Sequence, residues 1–205
     1  MENVTARAVR FHQIGGPDVL RIEPLAVRQP GPDEVSIRVK ALGLNRAEVL
    51  LRTDRYIETP RLPSGLGLEA TGIVEAVGSN VRDFAEGDAV SVLPPTSMQE
   101  QPTHAEHLVV PQARLVKNPP GQAWSDAAAT WMQYLTAYGA LVQVAALRAG
   151  DFVVITAASS SVGLAAIQIA RRVGAVPIAV TRGSAKRDAL LQAGATEVIA
   201  SDEED

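Results

Sequence analysis

The sequence predicts an α/β chain with a mostly antiparallel β domain over residues 1–123 and the first half of a doubly wound parallel domain over residues 124–205. In the first part, short β-branched runs alternate with Gly and Pro. From Ser125 the apolar spacing becomes helical, and after Gly150 strands and a helix alternate. The turn-rich segment 117–122 separates these two sequence patterns and is predicted to be a linker.

Six β-strands and one helix are expected in the first domain. The predicted strands cover residues 5–11, 20–27, 34–42, 70–77, 88–93 and 106–110. The helix is expected over residues 45–52, because Asn45 is a good N-cap and Glu48 stands at the third helical position, with Val and Leu residues following.

The second domain is predicted as a helical region followed by alternating strands and a helix. Its expected elements are helical structure from an N-cap at Ser125 through residue 147, a strand of buried parallel type at 152–155, a helix at 162–173, a second strand ending at Thr181 and a third strand at 195–200. No fourth strand and helix follow, so we expect the sequence to be the N-terminal part of a longer protein.

Small residues join the first strand of this domain to its helix, from Ala157 to Ser161. Such residues let the backbone N–H groups at a helix start approach a pyrophosphate, which the helix dipole then stabilises. Candidate contacts are Ser160, Ser161, Val162 and Gly163. The alternative is a plain polar loop that caps the helix. The pattern favours a dinucleotide ligand.

Composition excludes several other classes of protein. The 205 residues carry a formal net charge of −4 with 46% hydrophobic residues and no basic run, which argues against a nucleic-acid partner. Without cysteine there is no disulfide, thiolate nucleophile or cysteine-ligated metal. No apolar stretch is long enough to span a bilayer and no signal-type segment begins the sequence, so no membrane partner and a cytoplasmic location are expected.

Two strings of residues resemble a known family. They are Leu-Pro-Ser-Gly-Leu-Gly-Leu-Glu-Ala-Thr-Gly-Ile-Val-Glu-Ala-Val-Gly at 62–78 and Phe-Ala-Glu-Gly-Asp-Ala-Val at 84–90. Together with the turn at 157–163, they are similar to the medium-chain dehydrogenases/reductases, and most similar to the zinc-independent quinone oxidoreductase branch. The resemblance implies a GroES-like β domain followed by a Rossmann domain, with catalysis between them.

The resemblance also implies a reaction and a set of residues. In zinc-dependent relatives, Cys and His occupy the positions held here by Asn45 and Leu68, so no metal is expected. The implied reaction is hydride transfer from a reduced nicotinamide to a quinone or an α,β-unsaturated carbonyl, in a homodimeric full-length protein. Asn45, Arg52 and Tyr56 are expected near the acceptor, and Thr136 near the nicotinamide. Alternatively, Asn45 only caps its helix and Arg52 pairs with Asp54 or solvent.

The segment after the second strand of the parallel domain bears on the choice of nicotinamide cofactor. An NAD enzyme usually presents an acidic residue there, but no acid occurs before Asp188. Arg182, Ser184 and Lys186 instead form a cationic, hydroxyl-bearing cluster suited to a 2′-phosphate, so NADP(H) is the predicted cofactor. The alternative is a solvated helix start, although cations there oppose the helix dipole.

Other candidate residues have simpler explanations. Trp131, Tyr134 and Tyr138 share a helical stripe, either as packed core or flanking the nicotinamide or acceptor. His104 and His107 are expected on opposite faces of a strand, and so not to bind a metal together. The acidic residues 202–205 are expected to form a solvated terminus rather than a cation site.

Three classes of function therefore stay open. They are an NADPH-dependent quinone or enone reductase, a nucleotide-binding or crystallin-like structural protein without turnover, and an alcohol dehydrogenase with altered metal ligands. The absent metal ligands and the cationic loop favour the first.

Overall fold

The computed structural model describes residues 5–203. The chain divides into two compact units, Met1–Met132 and Gln133–Asp205. The first helix after the predicted linker contacts strands of the first unit. The division of the chain therefore falls after that helix, whereas the sequence places the domain boundary at residues 123/124.

The described part of the first unit, residues 5–132, contains eight strands: β1 (Thr5–Phe11), β2 (Leu20–Ala26), β3 (Glu34–Leu42), β4 (Ser64–Gly65), β5 (Ala70–Val77), β6 (Ala89–Val92), β7 (His107–Pro111) and β8 (Leu115–Lys117). They form a five-stranded antiparallel sheet in the order β7-β3-β5-β6-β8 and a three-stranded one in the order β2-β1-β4. Six strands agree with the prediction to within a residue at each end. The short β4 and β8 were missed, because two or three residues carry too little alternation to be recognised.

Two α-helices lie wholly within residues 5–132, α1 (Arg46–Arg52) and α2 (Trp124–Ala128). The Glu48 carboxylate accepts a hydrogen bond from the Asn45 backbone N–H at 2.9 Å, as expected for a capping box. The N-cap of α2 is Ala123. The predicted cap at Ser125 is therefore wrong, since Ser125 already lies in the first turn.

The second unit contains β9 (Phe152–Ile155), β10 (Val176–Thr181) and β11 (Glu197–Ala200) in a parallel sheet of order β11-β10-β9. Helix α4 (Ser161–Val173) and helix α5 (Arg187–Ala193) pack on this sheet. Their shared core is apolar and contains Ile155, Ala165, Ile167, Ala179, Leu190 and Val198. The strand and helix order is that of the predicted βαβ unit.

The prediction that residues 152–155 are buried on both faces is wrong. Phe152 is 74% exposed and Val154 61% exposed, whereas Ile155 is buried against the helices. Residues alternate between the two faces of a strand. Both described helices of this unit that contact the sheet share one core with Ile155, so the side chains of Phe152 and Val154 on the opposite face stay exposed.

Most of the predicted helical region over 125–147 is helical, but it is divided into separate segments and ends at Val144. After α2, the chain turns at Ala129 and Thr130 and then forms α3 (Trp131–Tyr138), which passes directly into a π-helical segment, Gly139–Val144. The Thr130 hydroxyl donates to the Asp126 carbonyl at 2.5 Å, and Ala129 N–H donates to the Ser125 carbonyl at 3.2 Å. These bonds satisfy the end of α2 and let a new helix begin.

Candidate functional site

The turn before α4 brings the helix start unusually close to the end of β9. Ala157 has a positive φ of 48°, and the Ser160 N–H donates to its carbonyl at 2.9 Å. A Cβ on Gly163 would lie 2.5 Å from the Ala158 carbonyl oxygen and 2.7 Å from that of Ala157. A glycine is therefore required at position 163, because only a residue without Cβ fits this approach.

Ser160 adopts an ordinary extended backbone, with φ −76°, so a side chain at this position is not strained. Its hydroxyl oxygen accepts a hydrogen bond from the Gly163 N–H at 3.1 Å and caps α4. The alternative prediction, that this loop caps the helix, is therefore correct for the Ser160 hydroxyl. A phosphate could still bind here, because the hydroxyl hydrogen and the other N–H groups of the first turn remain able to donate.

A pocket of about 640 Å³ opens beside this turn in the second unit. It is lined by Ala157, Ser159, Ser160, Val180, Thr181, Arg182, Gly183, Ala185, Lys186 and Ser201. The Lys186 ammonium donates to the Ser159 hydroxyl at 3.2 Å. Arg182 and Lys186 are both exposed, so the pocket places two cations near a helix start. That combination suits an anionic ligand with more than one phosphate.

Four other predicted cofactor residues, Ser161, Val162, Ser184 and Thr136, are not part of the pocket lining. Ser161 and Val162 begin α4 directly after the turn. The Ser184 backbone N–H donates to the Glu203 carboxylate at 2.8 Å. Thr136 lies on α3, exposed and outside the lining of the pocket. Its assignment to the nicotinamide stays a prediction from the family resemblance.

The aromatic stripe on α3 does not form one packed face. The Tyr134 ring packs against the core of the second unit, and its hydroxyl donates to the Gln168 side chain. Tyr138 is 45% exposed, and its hydroxyl accepts from Gln143 at 3.3 Å. Of these two tyrosines, Tyr134 packs against the core as one of the two alternatives predicted, and Tyr138 does not.

In the first unit, Asn45 is held by a buried carboxylate. Its side-chain nitrogen donates to Glu69 Oε1 at 3.0 Å, while Glu69 Oε2 accepts from the Met132 backbone N–H at 2.9 Å. Glu69 is 3% exposed. Burial raises the pKa of its carboxyl, against the hydrogen bonds from Asn45 and from the Trp131 and Met132 backbone. The bond to Glu69 fixes the Asn45 amide and leaves one amide hydrogen for another acceptor.

Arg52 lies at the opposite end of α1, about 10 Å along the helix from the N-cap. It is buried, and its guanidinium donates to the Gly15 carbonyl. The Gly15 N–H in turn donates to the Arg52 carbonyl at 3.1 Å. The structure therefore shows a link between α1 and the loop before β2, in place of the alternative pairing with Asp54 or solvent. The expected position of Arg52 near the acceptor stays a prediction from the family resemblance.

Tyr56 follows α1 and packs partly buried against an apolar cluster that includes Phe11, Leu51 and Leu66. Burial, followed by the nearby Glu58 carboxylate, raises the pKa of the Tyr56 hydroxyl. A tyrosine phenol is protonated at neutral pH with or without this shift, so the Tyr56 hydroxyl can act as a hydrogen-bond donor.

The two histidines occupy different environments. His104 is buried, with Nε2 3.2 Å from the Gly43 carbonyl oxygen and 3.5 Å from Glu48 Oε1. Burial alone would lower the pKa of the His104 imidazole, but the Glu48 carboxylate and the Gly43 carbonyl together raise it. His107 lies against Ser36 and Glu75. Within residues 5–203, no three His, Asp or Glu side chains cluster as metal ligands would.

Comparisons with known proteins agree with this architecture. The alcohol dehydrogenase GroES-like domain family matches residues 31–157, which is more than half of the chain. The quinone oxidoreductase of Homo sapiens is 37% identical over 194 residues, covering 94% of this chain. The chain belongs to the medium-chain dehydrogenase/reductase superfamily, in its quinone oxidoreductase-like branch.

Two further members of the superfamily extend the comparison. The synaptic vesicle membrane protein VAT-1 homolog of Rattus norvegicus is 36% identical, covering 90% of this chain and 45% of the relative. The structure of Escherichia coli quinone oxidoreductase complexed with NADPH superposes with a TM-score of 0.86 at 32% identity, covering 98% of this chain and 60% of that one. The chain spans 58% of the length of the human quinone oxidoreductase. No helix among the described residues is long and apolar enough to cross a membrane.

The positions that hold zinc ligands in zinc-dependent members do not fit a metal here. Leu68 is buried in the apolar cluster around Phe11 and has no ligating atom. The Asn45 amide nitrogen is engaged with Glu69, and an amide nitrogen is not a zinc ligand in proteins. This chain therefore lacks the ligand pair on which a catalytic zinc depends.

Sequence reasoning missed two residues that shape the candidate sites. Ser159 pairs with Lys186 across the pocket, and Glu203 reaches back to Ser184. The triple serine at 159–161 was a usable signal for the first residue. Nothing in the acidic run at 202–203 indicates which acid returns to the pocket, because that depends on the turn after β11.

Proposed function

We propose that the protein reduces quinones or α,β-unsaturated carbonyl compounds with NADPH and without zinc. The observation that carries this proposal is the pocket of the second unit, where a glycine-dependent helix start and two exposed cations line one cavity. Reduced nicotinamide supplies the hydride when it is bound, and an electron-poor acceptor needs little further activation.

The chain's own residues then have distinct tasks. The first-turn N–H groups of α4 hold the pyrophosphate. Arg182 and Lys186 hold the 2′-phosphate. Asn45 donates a hydrogen bond to the acceptor oxygen from an amide that Glu69 holds in place, and Tyr56 gives that oxygen its proton as the hydride reaches the acceptor carbon. Support for the Tyr56 role comes from its position against the apolar cluster that contains Leu68. Leu68 precedes Glu69, which holds the Asn45 amide.

The protein as purified is expected to contain no stoichiometric zinc, because the amide of Asn45 is committed to Glu69 and Leu68 is a core residue. Elemental analysis of protein prepared without chelator, before and after dialysis against EDTA, checks this. One tightly held metal per chain that disappears in the Glu69→Gln variant would contradict the proposal that the reaction is zinc-independent.

NADP(H) is expected to bind more tightly than NAD(H), through Arg182 and Lys186. A hydrogen bond to a charged group contributes about 1.5–3 kcal/mol, so Arg182→Ala or Lys186→Ala is expected to weaken NADPH binding roughly tenfold or more and leave NADH binding nearly unchanged. Titration of nicotinamide fluorescence with each variant measures both affinities.

Arg172→Ala is the matched control for these variants, because Arg172 is an exposed arginine in the last turn of α4. It removes the same charge from the same unit without touching the pocket lining. Equal losses for NADPH and NADH in the Arg182 and Lys186 variants, or a loss as large in Arg172→Ala, would refute the assignment of a 2′-phosphate site.

A further inference from the structure

The acidic segment that follows β11 returns to the cofactor pocket of the second unit. Three backbone hydrogen bonds hold it there: Ser201 N–H to the Thr181 carbonyl, Asp202 N–H to the Arg182 carbonyl and Glu203 N–H to the Ala200 carbonyl, each 2.9 Å long. Asp202 and Glu203 are exposed, as expected for a solvated terminus, but their backbone is held beside the pocket, while Glu204 and Asp205 lie outside the described residues.

The carboxylate of Glu203 accepts a hydrogen bond from Ser184, which lies between the pocket-lining residues Gly183 and Ala185. Its Oε1 accepts the Ser184 backbone N–H at 2.8 Å and would lie 3.2 Å from a Cβ on Gly183. Gly183 itself lines the pocket, between the two cations Arg182 and Lys186. The hydrogen bonds from Ser184 hold the pKa of the Glu203 carboxyl below its usual range, so the group is negatively charged at neutral pH.

A negative charge at this place acts oppositely on the two nicotinamide cofactors. A 2′-phosphate beside it meets like-charge repulsion and loses the Ser184 N–H as a partner. A ribose 2′-hydroxyl carries no charge and can donate to a carboxylate, which is how an acidic residue selects NAD in dinucleotide-binding folds. Here the acid comes from the segment after the third strand, and not from the end of the second.

We propose that Glu203 is a specificity-determining residue of the cofactor pocket, whose carboxylate limits the preference for NADP(H) that Arg182 and Lys186 create. This inference rests on the proposed function, because it assumes that the pocket binds the adenosine half of a nicotinamide dinucleotide. It assigns to Glu203 the discrimination between the two cofactors and leaves hydride transfer to other residues.

The test compares the affinities of NADPH and NADH for the unsubstituted protein and for Glu203→Gln and Glu203→Ala. Glu203→Gln removes the charge and retains an oxygen for the Ser184 N–H, whereas Glu203→Ala also frees that N–H. NADPH affinity is expected to rise about fivefold in the first variant and about tenfold in the second. NADH affinity is expected to stay the same or fall.

Asp202→Asn is the matched control, because it removes the neighbouring negative charge from the same segment. Asp202 contacts Ser201, not Ser184. Its effect on NADPH is expected to stay below twofold. Far-ultraviolet circular dichroism of all three variants checks that the fold is retained. We expect it to be retained, because the substitutions leave the backbone hydrogen bonds of residues 201–203 in place.

The outcomes separate the inference from the proposed function. If the unsubstituted protein binds NADPH and neither Glu203 variant changes its affinity, or Asp202→Asn changes it as much, the inference is wrong and the proposed function stands. If neither nucleotide binds any of the proteins, the proposed function fails and the inference fails with it. A rise in NADPH affinity that occurs only in the Glu203 variants supports both the proposed function and the role of Glu203.

Discussion

Replacing Tyr56 with Phe is expected to lower kcat/KM for a quinone about 100-fold, because removing one hydrogen-bond donor from the oxygen on which charge develops commonly has an effect of that size. The ring of Tyr56 packs against the apolar cluster around Phe11, and Phe retains that packing. Stability and cofactor affinity are therefore expected to stay near parental values. Steady-state kinetics with NADPH and a simple benzoquinone provide the measurement.

Tyr138→Phe is the matched control for this experiment. Its hydroxyl is exposed and accepts only a weak bond from Gln143, so the substitution is expected to change kcat/KM less than twofold. The two variants also decide between locations for the acceptor. A large loss in Tyr138→Phe, with none in Tyr56→Phe, would favour the aromatic stripe of α3 as the wall of the acceptor site.

Asn45→Ala tests the other proposed hydrogen-bond donor to the acceptor oxygen. Its amide is fixed by Glu69, and the loss of that donor is expected to reduce kcat/KM by a similar factor. Because Asn45 also stands at the start of α1, a loss of about 1 kcal/mol in the free energy of unfolding is expected as well. If both Tyr56→Phe and Asn45→Ala retain parental kcat/KM, the proposed acceptor site is wrong.

Much of this fold can be predicted from local sequence patterns, because the helices and strands concerned depend on contacts between residues that are close in sequence. The helix at 46–52 follows from Asn45 and Glu48, whose capping contact spans only three residues. The βαβ unit follows from a strand, a small-residue turn and a helix in unbroken succession. The end of helix α2 could not be predicted from the spacing of apolar residues, because it depends on hydrogen bonds made by Ala129 and Thr130.

The parts that sequence reasoning missed depend on contacts between distant residues. Glu203 reaches Ser184, which lies 19 positions earlier, and Arg52 reaches Gly15, 37 positions earlier. The exposure of Phe152 was missed for a different reason. An apolar run predicts burial, but burial requires a partner on each face, and the described helices that pack on this sheet share the core on the other face.

Replacing Gly163 with Ala is expected to weaken NADPH and NADH binding together by more than about tenfold and to lower the free energy of unfolding by about 1–3 kcal/mol. The added Cβ would lie 2.5 Å from the Ala158 carbonyl oxygen and 2.7 Å from that of Ala157, and both neighbours are backbone atoms that cannot rotate away. Helix α4 must then shift from the turn. The N–H groups of its first turn would move with it, away from the pyrophosphate of either cofactor.

Gly139→Ala is the control, because Gly139 also stands in a helical segment and its added Cβ would meet no heavy atom within 4 Å. Alanine there is expected to leave both affinities unchanged and to stabilise the helix slightly, since glycine is the weaker helix former. Urea unfolding and nicotinamide fluorescence titration measure the two quantities. In the proposed site, Gly163→Ala acts on the shared pyrophosphate and Lys186→Ala on the 2′-phosphate, so the first is expected to affect both cofactors and the second only NADPH. Loss of NADPH binding alone in Gly163→Ala would show that the turn does not hold the pyrophosphate.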